Sequence, residues 1–327
     1  MFLKEAGFSI WCDFIEREFL QKGFKELIRK DIVNGATSNP AIFKEAFLNS
    51  KAYAKQKESL KGKDKKEIYE ALAIKDIKEA ADILMPLYEK EDDGFVSIEV
   101  DPFLCDDAEG TIKEGERLFN EIGKENVMIK IPATEAGYEA MRELTKRGVN
   151  VNATLVFSKE QGVNSLKALK EGIENSRKKT KAVISVFVSR FDRKLDPLLA
   201  KKGLQTGVFG IYNATEIYYE VEKESFKDIK TLFASTGVKG GERYPKDYYI
   251  KELLYENCVN TAPLNTIEAF LKNETFEVKT PPSKEEIENF FKKLEKEGIE
   301  REKVAKELTD EGIEAFKKAF SDILASL

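Results

Sequence analysis

Short apolar runs alternate with longer amphipathic stretches along most of the chain, and the two kinds of segment predict strands and helices respectively. Strands are expected over Phe8–Phe14, Asn34–Asn39, Phe95–Asp101, Val127–Pro132, Asn150–Phe157, Ala182–Ser189, Thr231–Ser235 and Cys258–Pro263. Helices are expected over Ile112–Ile122, Ala136–Arg147, Lys159–Ser176, Asn213–Lys223, Lys246–Glu256 and Thr266–Lys272, the last started by an Asn265/Glu268 capping pair. Eight strands alternating with helices, with no linker rich in Pro, Gly or Ser, predict a single α/β domain over residues 1–327, a (β/α)8 barrel. A doubly wound open sheet is the alternative, but its phosphate-binding glycine motifs are missing.

Two regions exceed what a barrel needs. Residues 44–90 are rich in lysine and carry Ile74, Ile77, Ala81 and Leu84 on one stripe, which predicts a helical insert covering one barrel end. The tail, residues 281–327, opens with a Ser283/Glu286 capping box. Its apolar positions, Ile287, Phe290, Phe291 and Leu294, then Ile313, Phe316, Ala319, Phe320 and Ile323, predict two helices packed on the barrel.

Successive side chains of a strand point to opposite faces, so each expected strand can be read face by face. Ser9, Trp11 and Asp13 oppose Phe8, Ile10, Cys12 and Phe14; Ser97, Glu99 and Asp101 oppose Val96, Ile98 and Val100. In the fourth strand Lys130 opposes Val127, Ile129 and Ile131. Asn150, Asn152 and Thr154 oppose Val151, Ala153 and Leu155, and Ser185, Phe187 and Ser189 oppose Ile184, Val186 and Val188. If the apolar faces meet the helices, then Asp13, Glu99, Lys130, Asn152, Thr154 and Ser185 all project into the barrel. A buried ammonium is costly unless it is paired or loses its proton, and desolvated lysines make good nucleophiles toward carbonyls. Each residue also has a structural reading: Lys130 snorkels to water or pairs with Glu99, Asp13 caps the following helix, and Asn152 and Thr154 satisfy stray backbone groups. Six polar groups converging inside a barrel favour a site over packing.

Composition narrows the chemistry. Of 327 residues, 42% are hydrophobic and 35% charged, ordinary for a globular protein. Lys and Arg number 54 against 59 Asp and Glu, a net −5 that argues against nucleic acid or an anionic membrane as the main partner. No apolar run approaches the ~20 residues of a membrane span, and no secretory signal pattern is expected at the N-terminus. Cys12, Cys105 and Cys258 are scattered and odd in number, which predicts no disulfide framework and a reduced, cytoplasmic setting. There is no histidine at all, so Ser-His-Asp and Cys-His nucleophile systems are excluded. Proton transfer falls to carboxylates, lysine, tyrosine or water.

The chain resembles transaldolase over nearly its whole length. The resemblance rests on Ser9-Ile-Trp-Cys-Asp13, Thr37-Ser-Asn-Pro-Ala-Ile-Phe43, Val96-Ser-Ile-Glu-Val-Asp-Pro102 and Lys130-Ile-Pro-Ala-Thr134. It continues through Asn150-Val-Asn-Ala-Thr-Leu-Val-Phe-Ser158, Ile184-Ser-Val-Phe-Val-Ser-Arg-Phe-Asp192, Ala234-Ser235-Thr236 and Val259-Asn-Thr-Ala-Pro263. It implies a (β/α)8 barrel that moves a dihydroxyacetone unit between sugar phosphates through a lysine Schiff base, with no metal or organic cofactor. By the same resemblance Lys130 forms the Schiff base, Asp13 is the acid/base of the carbon–carbon step, and Glu99 with Thr154 handles a catalytic water. Asn39, Asn152 and Ser185 are implied to hold hydroxyls of the bound unit, and Arg190, with Ser235, the phosphate. Many members carry an arginine shortly after that serine; here the run is Ser235-Thr236-Gly237-Val238-Lys239-Gly240-Gly241. Lys239 and the loop's N–H groups are the expected substitutes, against a solvated Lys239. Ala262 stands where bulkier residues are common. Either a monomer or a homodimer is compatible with the sequence. Two rivals remain: a related lysine aldolase that releases free dihydroxyacetone, as fructose-6-phosphate aldolases do, and a non-catalytic barrel that binds sugar phosphate.

Overall fold

In the computed structural model, which describes residues 2–239 and 243–327, eight parallel strands close into a barrel in sequence order. They are β1 Ser9–Cys12, β2 Gly35–Thr37, β3 Phe95–Glu99, β4 Val127–Pro132, β5 Asn150–Val156, β6 Ala182–Phe187, β7 Ile229–Ala234 and β8 Cys258–Ala262. β1 pairs with β8 and seals the ring. Parallel neighbours need crossover connections, and the amphipathic segments supply them as helices that cover the outer apolar face. The eight expected strands are all present, differing only at their ends.

The exceptions have physical causes. Helix Ser189–Lys201 was not expected, because Pro197 and a run of charges break up its pattern; Phe191, Leu195 and Leu199 nonetheless bury one face. The Asn265/Glu268 cap does not form. Pro263 holds the cap position of helix Leu264–Phe270 and Asn265 lies inside it, so the pyrrolidine's fixed φ rather than a side chain starts the helix. Only half of the second box forms. Ser283 Oγ accepts from Glu286 N at 3.1 Å, while the Glu286 carboxylate accepts instead from Tyr212 OH at 2.5 Å.

Between β2 and β3 lie helix Pro40–Asn49, shorter turns, and the long helix Lys65–Tyr88, whose Ile77, Ala81 and Leu84 are buried. This helix is keyed to the chain just beyond β1. The buried Arg17 guanidinium donates twice to Asp76 Oδ1, at 2.9 and 2.8 Å. Tyr53 OH donates to Asp76 Oδ2 at 2.7 Å, and Arg17 stacks 4.5 Å above the Tyr53 ring. Removing one partner of such a pair strands a buried charge, so Asp76→Ala is expected to cost about 3 kcal/mol or more in a urea melt. A change within about 0.5 kcal/mol would mean that the pair does not hold the insert.

The C-terminal helix, Arg301–Ser326, buries Leu308, Gly312, Phe316, Phe320 and Ile323, a stripe at helical spacing. It packs on helix Pro40–Asn49, helix Ser189–Lys201 and β5, and so crosses the barrel at the ends of its strands. Ion pairs fix it at both sides: Glu307 with Lys194 at 2.9 Å, and Asp322 with Lys44 at 2.8 Å.

Candidate active site

The register of the barrel sets the site. Glu99 lies opposite Lys130, and Lys130 opposite Asn152, on three adjacent strands. Their side chains turn inward together. The Lys130 ammonium donates to the Ser38 carbonyl at 2.9 Å and stands 3.5 Å from Glu99 Oε2. Only 6% of the Lys130 side chain and 3% of the Glu99 side chain are exposed, which excludes snorkelling. Next to them Ser185 Oγ donates to Asn152 Oδ1 at 2.6 Å, and Asn152 Nδ2 donates to Ser97 Oγ at 3.1 Å. Asn152 therefore serves side chains, not a stray backbone group.

Two buried oxygens stand out. Glu99 Oε2 and Thr154 Oγ1 make no hydrogen bond among the described residues. Buried polar atoms ordinarily find partners, and a ligand or a water can complete such atoms.

Asp13 follows β1 directly. Its Oδ1 accepts from Thr37 Oγ1 at 2.6 Å, and Thr37 Oγ1 in turn lies 2.7 Å from Thr261 Oγ1. Since the Thr37 proton goes to the carboxylate, Thr261 is the donor of the second bond. Asp13 does not cap a helix, because Glu16 caps the turn Arg17–Phe19. Burial raises the Asp13 pKa, opposed by the Thr37 bond and by the Lys130 charge. Burial likewise pushes Glu99 up to about 7, against the Lys130 charge 3.5 Å away, with Asp13 adding to the rise.

Above this floor opens a mouth of about 980 Å³ lined in part by Asp13, Arg190, Ser235 and Lys239. The Arg190 guanidinium lies 5.2 Å from the centre of the Phe187 ring and 5.9 Å from that of Phe157. Its pKa is lowered, first by burial and then by the charge of Arg193, with Glu311 opposing. Ser235 has φ 55°, and its hydroxyl lies 3.1 Å from Ser189 Oγ. Gly240 and Gly241, whose N–H groups were expected to help bind an anion, lie outside the described residues. Asn39 is less committed to the mouth: its Oδ1 caps helix Pro40–Asn49 by accepting from Ile42 N at 3.0 Å.

Face parity fails at Asp101, which lies past the end of β3 and pairs outward with Lys66 at 2.7 Å, and at Leu155. Leu155 has φ 56°, and the β5–β6 register shifts between Ala153 and Val156. The kink turns its side chain away from the helix layer and against Gly312 of the C-terminal helix. Face parity also gave no hint of Thr37 and Thr261, although both sit inside motifs quoted above. Arg193, Lys246 and Asn265 line the mouth as well.

The opposite end of the barrel holds a second cavity of about 760 Å³, reached by Trp11, Asp93, Lys181, Asp228 and Lys230. Ion pairs lie along it, Lys230 with Asp93 at 2.8 Å and Lys181 with Asp228.

A family model described as transaldolase/fructose-6-phosphate aldolase matches residues 10–327. A transaldolase of Campylobacter jejuni subsp. doylei is 50% identical over 332 residues, covering 98% of this chain and 99% of that one. A transaldolase of Helicobacter pylori is 48% identical over 320 residues, with the same coverage of 98% and 99%. Similarity of this order runs from β1 through the mouth to the last helix, so the chain belongs to the transaldolase/fructose-6-phosphate aldolase family, and transaldolase, a transferase, is its enzyme class.

Proposed function

We propose that this chain transfers a dihydroxyacetone unit through a Schiff base on Lys130, interconverting sedoheptulose 7-phosphate and glyceraldehyde 3-phosphate with erythrose 4-phosphate and fructose 6-phosphate. The observation that carries this reading is a lysine amine buried in a barrel, within reach of a carboxyl raised to about 7 and beneath a mouth that holds an arginine.

The amine of Lys130 adds to the ketose carbonyl, and loss of water gives an iminium. Glu99 moves the protons of that water, with Thr154 Oγ1 as the second group that holds it. Asp13 takes the proton of the hydroxyl next to the breaking carbon–carbon bond, and the electron pair of that bond passes into the iminium. Asn152 and Ser185, with the Asn39 amide, hold the resulting enamine in one pose. Arg190 grips the phosphate with its planar fork, helped by Ser235 and Lys239. The aldehyde product leaves, an acceptor aldehyde enters, and the steps run backward. Three buried, unpaired cysteines suit a reducing cytoplasm.

The test supplies fructose 6-phosphate with erythrose 4-phosphate and measures sedoheptulose 7-phosphate. Product that depends on both sugars is expected. Free dihydroxyacetone in place of the ketose product would convert the enzyme into an aldolase; neither product would leave a binding protein.

Glu99 gives this reading a pH signature. Its carboxyl is protonated below about pH 7, and a base for water must be ionised. Turnover limited by making or breaking the imine is therefore expected to fall as pH drops through 7 and to level off above it. Glu99→Gln should remove that limb and lower kcat by about 100-fold or more. An unchanged limb in the variant would assign the titration to another group.

A further inference from the structure

The C-terminal helix lies directly on the reacting groups. The Phe316 ring centre is 6.0 Å from Lys130 Nζ, at the outer edge of the range in which a ring face attracts a cation. One turn earlier, a Cβ built on Gly312 would meet Leu155 Cδ2 at 3.0 Å and Arg190 Nη1 at 3.3 Å. Residues four apart share a helix face. One face of this helix thus presses on the amine proposed to react and on the arginine proposed to bind phosphate, while Leu308, Glu311 and Ala315 line the mouth beside them. Phe316 is buried, and its helix is pinned by ion pairs on both flanks.

We infer that Phe316 determines whether the bound three-carbon unit is transferred or released, an inference that rests on the Schiff-base reading above. After the first cleavage the unit remains on Lys130 as an enamine with two fates. In transfer, the enamine carbon attacks the acceptor aldehyde and a new carbon–carbon bond forms. In release, that carbon first takes a proton, giving the dihydroxyacetone iminium. Water then adds to the iminium carbon, the carbon–nitrogen bond breaks, and dihydroxyacetone and the free amine of Lys130 result. Release needs water at the imine in the interval before the acceptor arrives; transfer does not. An aromatic ring against the amine restricts bulk water there and leaves only the water that Glu99 and Thr154 govern. Phe316 is a specificity-determining residue in this sense, a dry roof over a long-lived intermediate.

The experiment compares the wild-type protein with Phe316→Ala and Phe316→Leu, using fructose 6-phosphate with and without erythrose 4-phosphate. Free dihydroxyacetone and sedoheptulose 7-phosphate are quantified together. The ratio of release to transfer is expected to rise about tenfold in Phe316→Ala and by less in Phe316→Leu, which refills most of the volume. Borohydride should still trap the adduct on Lys130 in both variants. A ratio equal to the wild-type value, with both rates reduced together, would mean that Phe316 merely supports the fold and would overturn the inference. Should Phe316→Ala fail to fold by circular dichroism, Phe316→Leu decides on the same ratio. Failure of the underlying reading shows separately, as wild-type protein that gives no borohydride adduct on Lys130.

Discussion

Lys130→Met is expected to reduce turnover by a factor on the order of 10⁴ or more, because it deletes the group that makes the covalent intermediate rather than one that tunes it. Methionine is close to lysine in length and suits an apolar barrel interior, so the fold should survive. The lost ammonium leaves Glu99 without its neighbouring cation, but a carboxyl already raised to about 7 by burial avoids a stranded charge by staying protonated. The loss is therefore chemical. Incubation with fructose 6-phosphate and borohydride, followed by peptide mass spectrometry, should find the reduced three-carbon or six-carbon adduct on the peptide containing Lys130 in the wild-type protein and none in the variant. An adduct that persists at another lysine, together with retained turnover, would remove Lys130 from the centre of the mechanism. Far-ultraviolet circular dichroism separates that outcome from unfolding.

The barrel was legible because most strands are short apolar runs, several with one consistent apolar face, and eight such runs alternate with helical stripes. Direction was legible for the same reason. Once Ile129 and Ile131 face the helices, Lys130 has only the interior, and the partners Glu99 and Asn152 follow from strand register. What escaped were features set by backbone geometry or by distant parts of the chain. The left-handed Leu155 reverses its own face, and no alternation of apolar residues encodes a positive φ. Helix Ser189–Lys201 hid behind Pro197 and its charges. The hydroxyls of Thr37 and Thr261 meet directly and join β2 to the end of β8, strands that are not neighbours in the sheet, while Asp13 accepts from Thr37. Phe316 read as one more apolar residue of a packing helix; its place beside Lys130 depends on where that helix crosses the barrel.

Asp13→Asn is expected to separate imine formation from carbon–carbon cleavage. Asparagine keeps an oxygen that can accept from Thr37 Oγ1, now 2.6 Å from the Asp13 carboxylate, so the geometry is retained while the basic oxygen is lost. Adduct formation on Lys130 with fructose 6-phosphate should persist, because Glu99 and not Asp13 serves the imine in this mechanism. Cleavage should slow by about 10²- to 10⁴-fold, the usual contribution of a positioned base. KM is expected to change little, since the lost interaction matters in the transition state and not in binding. The raised pKa of Asp13 fits this role, for a carboxylate held back from easy ionisation is a stronger base when it does ionise. Rapid quench makes the test decisive: wild-type protein should release one equivalent of glyceraldehyde 3-phosphate in its first turnover, and the variant should accumulate the six-carbon adduct with no such release. A normal burst from Asp13→Asn would transfer the proton step to another group, and Glu99 is the other raised carboxyl facing the amine.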